Sequence, residues 1–262
     1  MLREEKSSMK GISTEDVIEF YDNEYDEGGR LNRNRRNRVE LSVKNSIYKK
    51  LIAKCDRVLQ IGAGCGAYTG LLLNDIGCKV LATDLVPKHV EIISRKFPNS
   101  NPIAYDASND KFPNEVLNFN PTVVLVEGAA YHMEYNKVRE LFSRMKAFPN
   151  LRLILTDYLT ETFNTLNNIL GVEDCMREDL FYRVDSPKYF SDFEGGDYVI
   201  KTVPVDYFSR LIKDRLEKLS DSDFGRVLDI FVRLTLKSLD RNGETYLSNL
   251  SEKCVLVIER KR

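Results

Sequence analysis

Short apolar runs and longer amphipathic stretches take turns over the middle of the chain. Arg57-Val58-Leu59-Gln60-Ile61, Lys79-Val80-Leu81-Ala82-Thr83, the weaker Pro102-Ile103-Ala104-Tyr105, Thr122-Val123-Val124-Leu125-Val126 and Leu151-Arg152-Leu153-Ile154-Leu155 read as five strands. The runs are continuous rather than alternating, as expected of strands covered on both faces. Between them the pattern predicts a helix over 68–76 stopped by Gly77, a helix over 87–97 opened by Pro87, and a helix over about 136–147. Strand and helix at this spacing mean βαβ units, hence an α/β fold with a doubly wound, mostly parallel sheet and helices on both faces.

The flanks are less regular. Residues 14–25 are acidic with Val17, Ile18, Phe20 and Tyr21 interleaved, which suits a short amphipathic helix. An arginine run (Arg30, Arg33, Arg35, Arg36, Arg38) leads into a helical stripe of Val39, Leu41, Val43, Ile47 and Leu51; Arg33 to Arg38 read as a solvated face. After Tyr158 the pattern predicts a helix over 163–170, a strand from Tyr198 to Val203, and helices around 208–219 and 224–239. Those two carry the stripes Phe208, Leu211, Ile212, Leu216 and Val227, Leu228, Phe231, Leu234, which must be buried against something. The pocket mouth beyond the strand ends is the expected partner. Cys254 to Ile258 reads as a closing strand. The division expected is an N-terminal helical cap over residues 1–50 and a catalytic domain over 51–262 with a cap insertion around 160–250.

Charge and cysteine usage narrow the function classes. Among 262 residues, 39 basic and 40 acidic side chains leave a net charge of -1, so a globally basic nucleic-acid binder is not expected. No run reaches the ~18 apolar residues of a membrane span, and the first residues carry no apolar signal core. The five cysteines are scattered without a C-x-x-C, which argues against disulfides and a metal site and for a reducing, cytoplasmic setting.

The candidate chemistry sits at the strand ends, where such sheets bind ligands. Gly62-Ala63-Gly64-Cys65-Gly66 stands between a strand and a helix, where glycines let the backbone turn tightly and approach a ligand. Asp84 ends the next strand, 22 positions beyond Gly62, and a carboxylate there can accept two ribose hydroxyls. Since Gly62-x-Gly64-x-x-Ala67 also fits a dinucleotide fingerprint, the glycines and Asp84 alone leave two cofactor classes open. His89 reads as a surface residue of the second crossover helix, and Cys65 as a small filler between glycines.

Val58 to Gly66 resembles the first motif of class I S-adenosylmethionine-dependent methyltransferases, V-L-D-I-G-x-G-x-G. Lys79 to Asp84 resembles their second-strand motif, and Asp106-Ala107 the third-strand step that holds the adenine edge. Val124 to Met133 resembles the L-L-G-P-L-Y-H-L of a subgroup whose N-terminal Y-D-E-x-x-R-L is matched by Tyr25-Asp26-Glu27-Gly28-Gly29-Arg30-Leu31. The resemblance covers about residues 21–158 and is weak over 160–252. It implies a Rossmann-like sheet with an antiparallel C-terminal strand and a helical cap. It also implies S-adenosylmethionine as cofactor and methyl transfer to a small-molecule acceptor. The implied cofactor residues are Tyr25, Arg30, Gly62, Ala63, Gly64, Asp84, Leu85, Asp106, Ala107, Glu127 and Gly128. The catalytic candidates are Tyr131, as an aromatic face for the sulfonium, and His132, which reads as a general base or substrate contact and equally as a polar cap of the turn after the fourth strand. Departures are Gln60 for the usual acid, Pro121-Thr122 for the Asp before the fourth strand, and Glu127 and Ala129 within the fourth motif. Glu127-Gly128-Ala129-Ala130 stands where base-amino methyltransferases have N-P-P-Y, which counts against nucleic-acid amino groups as acceptors. The alternatives are an NAD(P)-linked oxidoreductase, or a non-catalytic S-adenosylmethionine-binding interaction protein. Oligomeric state is left open.

Overall fold

The computed structural model describes residues 14, 15, 17–19, 35–108, 111–148, 150–158, 198–205, 213–240 and 253–260. The strands are β1 (Arg57–Ile61), β2 (Lys79–Asp84), β3 (Ile103–Ala104), β4 (Val123–Glu127), β5 (Arg152–Tyr158), β6 (Tyr198–Pro204) and β7 (Lys253–Arg260). They form one sheet in the order β3-β2-β1-β4-β5-β7-β6. The first five are parallel, and β7 runs antiparallel between β5 and β6. The doubly wound, mostly parallel sheet is thus the fold the apolar runs predict, and its antiparallel C-terminal strand is the one the resemblance implies.

The helices are α1 (Arg35–Leu51), α2 (Ala67–Gly70), α3 (Pro87–Lys96), α4 (Asn114–Phe119), α5 (Tyr135–Met145), α6 (Lys213–Glu217) and α7 (Asp221–Asp240). Residues 14, 15 and 17–19 are helical, within the segment expected to be so. The regular helix expected over 68–76 is only half right. Beyond α2 the chain widens into a π turn, Leu71–Ile76, because Gly77 N–H reaches back to the Leu72 carbonyl at 2.9 Å. Gly77 sits at φ 76, the left-handed stop the sequence implies.

Each face of the sheet has its own core. On one, Val39, Val43 and Ile47 of α1 meet Val58, Leu125, Ile154, Val255 and Val257. On the other, Leu141, Phe142 and Met145 of α5 meet Leu59, Val124, Val126 and Leu155.

The C-terminal helices differ from expectation. α7 lies along α1 and β6 on the first face rather than over the strand ends. Its buried positions are Phe224, Thr235 and Leu239, with Val227, Leu228 and Phe231 partly covered, and Leu234 of the expected stripe is exposed. Arg35 is not a solvated residue either. It donates to the Leu216 carbonyl at 3.0 Å and to Asp221 at 2.8 Å, and caps the end of α6 through the Leu219 carbonyl. The Phe224 ring lies 5.0 Å from the Arg35 guanidinium and 5.1 Å from that of Arg38, so cation–π contact fastens α7 to the start of α1. The expected helix at 163–170, Phe208, Leu211, Ile212, Tyr25 and Arg30 lie outside the described residues.

If α7 is docked this way, Phe224→Ala should lower unfolding free energy by about 3 kcal/mol or more in urea denaturation. Ile230→Ala, on the exposed side of α7, should stay within about 0.5 kcal/mol of the parent. Equal effects at the two positions would contradict the docking.

Candidate functional site

The strand order reverses between β1 and β4, which opens a crevice beyond their carboxyl ends. Gly62 follows β1, Asp84 ends β2, Asp106 lies just past β3 and Glu127 ends β4, so the predicted residues converge on one edge. The N–H groups of Gly62 and Ala63 both donate to the Thr83 carbonyl at 3.0 Å, which pins the loop's start to β2. Gly62, Gly64 and Gly66 have φ of 73, 54 and 85°. A Cβ on Gly62 would lie 2.8 Å from Ala129 Cβ and 2.9 Å from the Glu127 carbonyl, and one on Gly66 2.8 Å from the Phe97 ring. Those two glycines are required by packing. A Cβ on Gly64 would meet nothing within 4 Å among the described residues, so this is where the loop backbone is open to a ligand.

Asp84 is buried and heavily wired. Its Oδ2 accepts from Gly64 N–H at 2.7 Å, its Oδ1 from Val86 N–H at 2.9 Å, and His89 Nδ1 lies 3.1 Å from Oδ1. His89 is therefore not a surface residue: it is 3% exposed. Pro87 starts α3 so soon after β2 that the first helical turn folds back over the strand end. Leu85, half-buried, joins the two. Past β3, Asp106 Oδ1 accepts from the Ser108 N–H at 2.9 Å and the Ser108 hydroxyl at 2.5 Å, and Oδ2 from the Thr14 hydroxyl at 3.3 Å. The buried Ala107 offers its carbonyl to Arg144 at 2.6 Å.

At the end of β4 stands a charged network that the sequence reading did not foresee beyond Glu127 itself. Glu127 Oε1 lies 2.5 Å from Lys44 Nζ, while Oε2 accepts from the Tyr48 hydroxyl at 2.5 Å and from Thr156 at 2.9 Å. Lys44 also pairs with Glu40 at 2.7 Å, and Glu40, Lys44, Tyr48 and Thr156 are all buried. Burial opposes the Lys44 charge, but Glu127 and Glu40 outweigh it and hold the ammonium well above the ordinary lysine value. Burial, reinforced by Glu127, pushes the Tyr48 and Tyr68 hydroxyls well above the ordinary tyrosine value. The signal for this network is a second stripe, Glu40-Lys44-Tyr48, lying one position beyond Val39-Val43-Ile47. On a helix against a flat sheet both stripes face inward, so the spacing was legible but reads equally as a solvated ion pair. Beyond Glu127, Gly128 has φ 62° and Ala130–His132 form a 3₁₀ turn, with His132 N–H on the Ala129 carbonyl at 3.1 Å. This turn brings His132 to the same edge.

Gln60 is fully buried, and its Oε1 accepts from the Thr69 hydroxyl at 2.8 Å. Its amide nitrogen and the buried Tyr68 hydroxyl have no hydrogen-bond partner among the described residues. Two orphaned polar groups bracket the glycine loop in sequence, and an open backbone lies beside Gly64. Together with an acidic acceptor at Asp84, this donor set fits a nucleoside cofactor with a polar tail. Among the described residues no cluster of His, Cys, Asp and Glu could hold a metal ion.

A scan of protein-family models and a search of curated proteins find no match. Solved structures do share the fold. The plantazolicin methyltransferase in complex with S-adenosylhomocysteine is 13% identical, with a TM-score of 0.54 over 95% of this chain and 90% of that one. Geranyl diphosphate C-methyltransferase from Streptomyces coelicolor A3(2), solved with Mg2+, geranyl diphosphate and S-adenosyl-L-homocysteine, is 11% identical. Its TM-score is 0.54 over 95% of this chain and 97% of that one. At such identities the likeness is one of fold.

The buried network has an alkaline signature. Lys44 has a raised folded value, so its stabilisation is complete below about pH 10.4 and is lost as pH climbs through that raised value. Tyr48 and Tyr68 keep their protons when folded and release them when unfolded above about pH 10, so they act in the same direction. Urea denaturation between pH 8 and 11 should show stability falling above about pH 10. In Tyr68→Phe the fall should be shallower by up to one proton, about 1.4 kcal/mol per pH unit. Identical slopes would contradict the shift of Tyr68.

Proposed function

We propose that the protein is an S-adenosylmethionine-dependent methyltransferase acting on a small-molecule acceptor. The observation that carries this reading is the pairing of Asp84 with the Gly64 N–H, 2.7 Å apart, at the one glycine of the loop where a Cβ would meet nothing among the described residues. The shared fold supports it, as do the small acceptors of the two methyltransferases compared above. S-adenosylmethionine, when bound, supplies a methyl group already activated for displacement.

The chain's own residues then have a positioning task, which can be worth several kcal/mol. Asp84 would hold the ribose hydroxyls, and the backbone of Gly62, Ala63 and Gly64 would follow the cofactor's tail. Asp106, Ala107 and Leu85 would frame the adenine. Tyr25 and Arg30 are assigned to the cofactor by the sequence resemblance alone, Arg30 to its tail carboxylate. Glu127 already receives three donors, so its part is to hold the wall of the site with Gly128 rather than to take a proton. Proton removal from an O–H or N–H acceptor falls to His132, the imidazole of this loop and a general-base side chain by type. Tyr131 would contact the acceptor.

Calorimetry with S-adenosylhomocysteine tests the assignment. Asp84→Ala should weaken binding by about 1.5–3 kcal/mol, the range for hydrogen bonds to a charged group. Gly64→Val should abolish binding; its φ of 54° also strains a β-branched residue, so a lowered melting temperature is expected alongside, although a Cβ there meets nothing within 4 Å among the described residues. Unchanged affinity in Asp84→Ala, or tight binding of NAD(H) by the wild type, would contradict it.

A further inference from the structure

We propose that His89 is a positioning residue for the nucleoside end of the ligand, acting through Asp84; this rests on the cofactor reading above. The carboxylate of Asp84 has about four acceptor positions, and three are filled by Gly64 N–H, Val86 N–H and His89. These three donors are not equivalent. Gly64 belongs to the open glycine loop, so its bond to Oδ2 is the one a ribose diol would displace or share. Val86 and His89 both sit on Oδ1 and belong to the start of α3, away from that loop. They hold one oxygen fixed and leave the other facing the ligand.

A purely structural role for His89 explains less. The strand-to-helix turn is already closed by Asp84 Oδ1 on Val86 N–H, and the other buried side chains of α3, Ile92 and Ile93, are apolar. An imidazole in that buried first turn costs desolvation, which its contact with the carboxylate offsets. What it adds is a second donor on Oδ1, which keeps the carboxylate in place when the diol displaces or shares the Gly64 bond on Oδ2. A carboxylate held in advance loses less freedom when it accepts the diol.

The test is a set of titrations with S-adenosylhomocysteine, with melting temperatures of the ligand-free proteins taken alongside. His89→Asn keeps a polar group where Nδ1 stands, whereas His89→Gln carries its amide one carbon further, near the place of Nε2. We expect affinity within about threefold of wild type for His89→Asn, and losses of about tenfold or more for His89→Gln and His89→Leu. In an Asp84→Ala background, His89→Leu should cost nothing further. An undiminished affinity in His89→Leu would overturn the proposal. So would equal affinities of the Asn and Gln variants, or the same loss with and without Asp84. If His89→Leu fails to fold, the Asn and Gln pair decides alone. A wild type that binds no S-adenosylhomocysteine would instead refute the cofactor reading, a result distinct from any of these.

Discussion

The buried ion pair between Lys44 of α1 and Glu127 at the end of β4 is the constraint on which the rest of the site depends. Two charges out of water persist only with close geometry and further hydrogen bonds, and losing one partner of such a pair typically costs about 3–5 kcal/mol. Here the further bonds come from Tyr48, Thr156 and Glu40, so α1, β4 and β5 are tied together at the ligand edge of the sheet. The far end of α1 is held as well, by Arg152 on the Leu51 carbonyl, and Arg152 in turn pairs with Glu259 of β7 at 2.5 Å. α7 then docks on the helix so fixed. Apolar side chains would fill the same space at less cost, so charge placed at this edge points to a site rather than to stability alone.

The crevice divides into a fixed wall and an open loop. Gly62 and Gly66 are crowded by Ala129, Glu127 and Phe97, so the two ends of the glycine loop have no room to move outward. Gly64 between them is uncrowded. Asp84 bridges the two, with one oxygen on α3 and the other on the loop. Asp106 is similarly divided, held by Ser108 on one oxygen and touched by Thr14 from the N-terminal segment on the other. The N-terminal segment thus reaches the third strand end directly.

The strands were legible because parallel strands covered on both faces carry unbroken apolar runs, and β1, β2 and β4 match their runs almost residue for residue. The glycine loop and Asp84 were legible for a related reason: strand-end chemistry leaves short, spaced signatures. α4 was not foreseen, since only Val116 of its six residues is buried and Leu117 is 50% exposed, which leaves no stripe to read. His89 was misplaced because a lone polar residue in a helix says nothing about which turn folds back. Lys44 and Glu40 stand four apart, the spacing of a solvated pair, and only the sheet beneath them and Glu127 across from them turn that pair into a buried one. Gln60 was recognised as a departure from the family pattern. That its oxygen is taken by Thr69 and its nitrogen left without a partner among the described residues is a three-dimensional fact.

Backbone hydrogen exchange, with and without S-adenosylhomocysteine, tests most directly whether the strand-end crevice is the ligand site. The account predicts slowed exchange at residues 62–66, 84–86 and 106–108, with a smaller effect along 40–48 through the Glu127 network. Exchange in 221–240, which packs on α1 and β6, should be unchanged. Protection confined to that helix, or no protection at the glycine loop, would contradict it.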